Sequence, residues 1–222
     1  MILDLANLDS VRAFAETFLR SEPRLDILIN NAGVTDNSKT EDGFNQAFQV
    51  NHLAHFLLTH LLLDRLKRCA PSRIIVVSSE SHQIGKIDFQ NIHKPTEGKW
   101  KAFKSYSNSK LANILHVREL ANRLEGSNVT SYAVHPGFIK TNIVCSFMGW
   151  FQVSFLFLKP FLQDCNEGAQ TTIYCATEEG IEMLSGRYFA RCQQKEPWPQ
   201  ARDDVLAKKL WEFSERLLGL TA

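Results

Sequence analysis

A chain of 222 residues is long enough for one large domain with a sizeable core, and 44% hydrophobic with 22% charged residues excludes disorder as its main state. Twenty-five Lys and Arg against 24 Asp and Glu give a net charge of +1, with no basic run dense enough to track a phosphate backbone, so nucleic acid is not an expected partner. Five cysteines, at 69, 145, 165, 175 and 192, contain no Cys-x-x-Cys pair and read as reduced packing thiols, with no metal site expected.

The first residues carry neither a basic leader nor a long apolar run, so no signal peptide is expected at this start. Asn7 can cap a helix whose apolar stripe is Val11, Phe14, Ala15, Phe18 and Leu19 and which ends before Pro23. Leu25–Ile29 reads as a buried strand that turns sharply at Asn30-Asn-Ala-Gly33. Residues 41–69 show a helical period up to Pro71, and Ile74–Val77 reads as a second strand. After an irregular polar stretch over 80–103, a helix is expected from near Tyr106 to Leu124, then a strand over Val129–Val134 cut by Pro136-Gly137. Residues 143–158 are uncharged, but Ser146, Gln152 and Ser154 interrupt them, and a bilayer span needs about 20 apolar residues. They suit a lid or an interfacial patch better than a span. A helix over about 167–178, a strand over 187–189 and a helix over about 203–218 complete an α/β alternation that predicts a parallel sheet covered on both faces.

Tyr106-Ser-Asn-Ser-Lys110 places a phenol and an ammonium four apart, on one helix face with Cβ atoms about 5–6 Å apart. A cation there favours the phenolate, which suits a general acid and base, although an exposed pair would be no more than a solvated face. Other elements occur in order around it: Asn30-Asn-Ala-Gly33 after one strand, Ser78-Ser79 after the next, and Pro136-Gly137 after the third. With these motifs the sequence resembles the short-chain dehydrogenase/reductase family, in its retinol-dehydrogenase-like branch, over essentially the whole chain.

That resemblance implies a Rossmann-like doubly wound parallel sheet in a single domain over 1–222, and an NAD(P)-dependent oxidoreductase acting on a lipophilic alcohol or carbonyl. Tyr106 would be the proton donor and acceptor and would also touch the cofactor. Lys110 would hold the nicotinamide ribose and lower the Tyr106 pKa, Ser79 rather than Ser78 would bond the substrate oxygen, and Asn51 would organise a relay water. Asp4 and Leu5 would line the adenine pocket, while Asn31, Ala32 and Gly33 would let the backbone pass the dinucleotide. Pro136, Gly137, Ile139 and Thr141 would meet the nicotinamide, although turn geometry alone also explains Gly33 and Gly137. The aromatic stretch within 143–158 falls at the family's substrate lid; a surface helix packed on the core, a homodimer contact and a peripheral membrane contact are the other readings. The chain would then work in the cytoplasm or on the endoplasmic reticulum membrane. His52, His55 and His60 share one predicted helix and read as core or boundary residues rather than metal ligands.

The family's opening strand and glycine-rich Thr-Gly-x-x-x-Gly-x-Gly turn have no counterpart in these 222 residues. The resemblance therefore leads to the expectation that the first two βα units are lacking, that NAD-versus-NADP preference is unreadable, and that the sheet has unpaired edges. It also keeps open a non-catalytic reading, in which the chain retains the catalytic half but cannot hold a dinucleotide.

Overall fold

The computed structural model describes residues 1–137 and 164–220. Asn7 caps α1 (Leu8–Ser21) by accepting the Ser10 amide at 3.0 Å, and Asp9 adds a negative charge to the first turn, where the helix dipole favours it. Four strands run parallel in chain order, β1 (Ile27–Asn30), β2 (Ser72–Val77), β3 (Val129–His135) and β4 (Tyr188–Ala190); β5 (Gln193–Gln194) lies antiparallel to β4. The helices after α1 are α2 (Gln46–Phe48), α3 (Ala54–Arg68), α4 (Lys99–Arg123), α5 (Cys165–Thr177) and α6 (Asp204–Leu218).

The pleat divides the core in two. Ile74, Val76 and Ala133 face a large cluster built with α1, α3, α4 and α6, whereas Ile75, Val77, Tyr132 and Val134 face a smaller one containing Cys175 and Ala176 of α5. Burial on both faces is why Ile74–Val77 of β2 reads as a continuous apolar run and why β3 shows no regular polar–apolar alternation.

Three local expectations need correction, and one short strand was not foreseen. The 41–69 segment is not one helix: α2 passes into a π-helical segment, Gln49–Leu53, in which the Ala54 amide reaches back to the Gln49 carbonyl. One wide turn barely disturbs an apolar period, so the sequence pattern does not reveal it. Helix α4 starts at Lys99 and not near Tyr106; Lys99, Lys101 and Lys104 are exposed, so its first turns show no buried stripe. The two-residue β5 is too short to leave a pattern. The strand expected over Leu25–Ile29 spans Ile27–Asn30 and is not buried on both faces: β1 is the edge strand among the described residues, with Ile27 and Ile29 exposed to 41% and 44%. Ile139, Thr141 and the 143–158 patch lie outside the described residues.

His52, His55 and His116 are buried together between the π-helical segment, α3 and α4, with His52 Nε2 at 3.0 Å from the Ser214 hydroxyl of α6. Burial depresses their pKa values from 6.5, to about 3 for His52 and about 4 for His55, and well down for His116. The unfolded chain thus binds protons that the folded chain refuses, and stability rises with pH across the window between these values and 6.5. Urea unfolding should show stability falling as pH drops from about 6.5 towards 4, at roughly 3 kcal/mol per pH unit for His52 and His55 together. A flat profile across that window would show that the imidazoles are not held neutral.

Candidate active site

The sequence motifs converge at the carboxyl ends of the parallel strands, where open α/β sheets place their ligands. Asn31, Ala32 and Gly33 leave β1, Ser78 and Ser79 leave β2, and Pro136 and Gly137 leave β3, while α4 carries Tyr106 and Lys110. Lys110 is buried, and its Nζ donates to the Val77 carbonyl at 3.0 Å while standing 5.5 Å from the centre of the Tyr106 ring. Burial lowers its pKa from 10.5 to about 8. Ser78 points inward and donates to the Lys110 carbonyl at 2.7 Å, whereas Ser79 is partly exposed and hydrogen-bonds Tyr106.

The electrostatics of Tyr106 differ from the expected ones. Burial raises its pKa above 10, and the Ser79 hydrogen bond only partly opposes this. Lys110 does not overcome the rise: its ammonium is directed at the Val77 carbonyl and is itself destabilised by burial. In the chain's own structure the phenol is therefore protonated at neutral pH.

Asn51 sits at the middle of the π-helical segment and is fully buried. Its Oδ1 accepts the Val34 amide at 2.8 Å, and its Nδ2 donates to the Val34 carbonyl and to the Ser109 hydroxyl, both at 2.9 Å. Ser109 in turn donates to the Tyr106 carbonyl at 2.7 Å. One amide thus ties the loop after β1 to the helix that carries Tyr106. A Cβ at Gly33 would lie 3.4 Å from both Asn51 Oδ1 and Lys110 Nζ, in ordinary contact with the two polar groups, so only a side chain larger than alanine would crowd them. Gly137 has φ +95°, where turn geometry itself favours glycine.

Asp4 and Leu5 lie just before α1; the Asp4 carboxylate accepts the Ala6 amide at 2.9 Å, and the Leu5 carbonyl meets Gln49 Nε2 at 3.4 Å, two residues before Asn51. Sequence reading overlooked Ser109 and Asn113, although positions 106, 109, 110 and 113 form one helix face. Asn113 Nδ2 joins Lys110 on the Val77 carbonyl at 3.1 Å. Gly85 was overlooked too: a Cβ there would come within 2.6 Å of the Ser107 carbonyl, so it lets the turn after Ser79 lie against α4. Among the described residues no helix is long and apolar enough to cross a membrane.

The family described as enoyl-(acyl carrier protein) reductase matches residues 1–154. Bovine dehydrogenase/reductase SDR family member 13 is 52% identical over 99% of this chain, which spans 59% of that protein's length. Human retinol dehydrogenase 11 is 50% identical over 98% of the chain and is covered over 68% of its own length. A crystal structure of a protein from Mycobacterium paratuberculosis superposes with a TM-score of 0.76 at 32% identity, covering 98% of this chain and 74% of that one. On the strength of these matches, the chain belongs to the short-chain dehydrogenase/reductase family.

Proposed function

We propose that the chain is an NAD(P)-dependent oxidoreductase domain that interconverts a lipophilic alcohol and its carbonyl, with Tyr106 moving the proton. The observation that carries this reading is the convergence of Tyr106, Lys110, Ser79 and Asn51 around Gly33 at the ends of β1 and β2. The names of the relatives, a dehydrogenase/reductase and a retinol dehydrogenase, favour it over a non-catalytic role and favour a lipophilic substrate.

The residues present suit part of a dinucleotide site. Gly33 leaves open the space that a side chain would fill beside Asn51 and Lys110, and Lys110 offers a buried cation there. Lys110, Asn31, Ala32 and Gly33 would hold the nicotinamide half, Asp4 and Leu5 the adenine side, and Pro136, Gly137, Ile139 and Thr141 the amide end. When bound, the nicotinamide gives or takes the hydride. Ser79 donates to the substrate oxygen where negative charge develops, and Tyr106 transfers the proton to or from that oxygen. A phenol is protonated at neutral pH and burial shifts it further in that direction, so the resting form of Tyr106 is the one that donates to a carbonyl. Asn51 holds the β1 loop and α4 at a fixed separation, which keeps Gly33, Lys110 and Tyr106 in one geometry. We place the reaction in the cytoplasm or at the surface of the endoplasmic reticulum, with residues 143–158 as the lid, the membrane contact or a homodimer contact.

The test is steady-state turnover of retinoids and other lipophilic alcohols and carbonyls with NADPH and NADH. Gly33→Val should weaken nucleotide binding by about tenfold or more, the equivalent of roughly 1.4 kcal/mol, because its methyl groups fill the space beside Lys110. Unchanged nucleotide affinity in a folded Gly33→Val chain would remove Gly33 from the site.

A further inference from the structure

The turn after β2 is fastened to a distant part of the chain through one histidine. The Ser79 carbonyl accepts from the His82 backbone amide at 3.1 Å and from His82 Nδ1 at 2.7 Å. The other ring nitrogen, Nε2, accepts the Trp198 amide at 3.1 Å. A carbonyl can only accept and a backbone amide can only donate, so these two partners require a neutral ring with its proton on Nδ1 and a bare Nε2. The ring is 2% exposed and packs edge-on against Tyr188 of β4 at 5.2 Å. Glu80 reinforces the same link, its Oε1 accepting from the Tyr188 hydroxyl at 2.9 Å and from Lys195 Nζ at 2.8 Å.

We propose that His82, as the Nδ1-protonated neutral tautomer, is a positioning residue that couples the Ser79 hydroxyl to the 195–198 segment, and that its protonation lowers turnover. The proposal rests on the reading of Ser79 and Tyr106 given above. Protonation places a hydrogen on Nε2 against the Trp198 N–H, which breaks that bond and frees the ring from the C-terminal segment. Burial acts most strongly on this ring and disfavours its charged form; the Ser79 carbonyl and Glu80 favour the charged form, and Lys195 and, from the end of β3, His135 oppose it. The balance holds the imidazole below its ordinary 6.5 and therefore neutral at pH 7.

Three variants separate positioning from mere packing. His82→Asn keeps a donor for the Ser79 carbonyl, His82→Gln keeps an acceptor for Trp198, and His82→Phe keeps only the ring's bulk. We expect His82→Phe to lose about 10²-fold in kcat with little change in nucleotide affinity, and His82→Asn to recover much of it. The acidic limb of the wild-type kcat profile below pH 6.5 should flatten in His82→Asn. A second readout does not depend on turnover: the Tyr106 phenol, titrated by NMR, should move upward in His82→Phe and not in His82→Asn, because the Ser79 hydrogen bond lowers its pKa. Equal kcat and pH profiles in folded His82→Phe and wild type would overturn the proposal. If wild type shows no Tyr106-dependent turnover, the reading of the active site fails; the Tyr106 titration then decides the positioning claim, and an unmoved midpoint in His82→Phe overturns it.

Discussion

Tyr106→Phe should lower kcat/KM by about 10²–10⁴-fold, the range that a positioned acid–base group contributes, while leaving the fold in place. Phenylalanine keeps the ring and loses only the hydroxyl and its bond to Ser79, so stability should change by no more than about 1 kcal/mol. The ring position stays defined because the Tyr106 carbonyl is held by Ser109, which Asn51 holds in turn. Steady-state kinetics beside thermal unfolding separates the two effects. A variant with wild-type turnover would move the proton-transfer role elsewhere.

Lys110→Met should lose activity and gain stability. The folded chain carries a buried ammonium whose pKa drops from 10.5 to about 8, and that drop corresponds to about 3 kcal/mol of unfavourable burial at neutral pH. Methionine removes the charge at nearly constant volume, and the Val77 carbonyl keeps Asn113 Nδ2 as a donor at 3.1 Å. We expect stabilisation of roughly 1–3 kcal/mol at pH 7 and a loss of about 10²-fold or more in turnover. Between pH 8 and 10.5 the unfolded wild-type chain binds the proton that the folded chain has released, so wild-type stability rises with pH across that window. The variant's should not. Chemical unfolding at pH 7 and 10 checks both statements, and a destabilised Lys110→Met at pH 7 would contradict the burial argument. The cost of keeping Lys110 is then a cost of function.

These two residues also show how far a sequence carries. The i, i+4 spacing places Tyr106 and Lys110 on one face, but it does not show how deeply that face is buried. Burial is what aims Lys110 Nζ at the Val77 carbonyl and turns the Tyr106 shift upward instead of downward. The strands were legible for a related reason: Ile74–Val77 and Val129–Val134 are buried on both sides, so composition alone marks them. Asn7 was legible because capping is a local bond. The wide turn at Asn51 and the exposed start of α4 disturb no apolar period, and the contacts of His82 join residues 116 apart in sequence. Such pairings arise only once the sheet has brought β2 beside β3 and β3 beside β4.

If the group around Tyr106 and Gly33 holds a nicotinamide dinucleotide as proposed, direct titration of the purified chain with NADPH and with NADH, followed by nucleotide fluorescence, should show saturable binding of at least one of them. That binding should be weakened in Gly33→Val and in Lys110→Met and retained in Tyr106→Phe. No binding of either nucleotide by a chain shown to be folded would contradict the proposal, and the fold would then stand without the proposed activity.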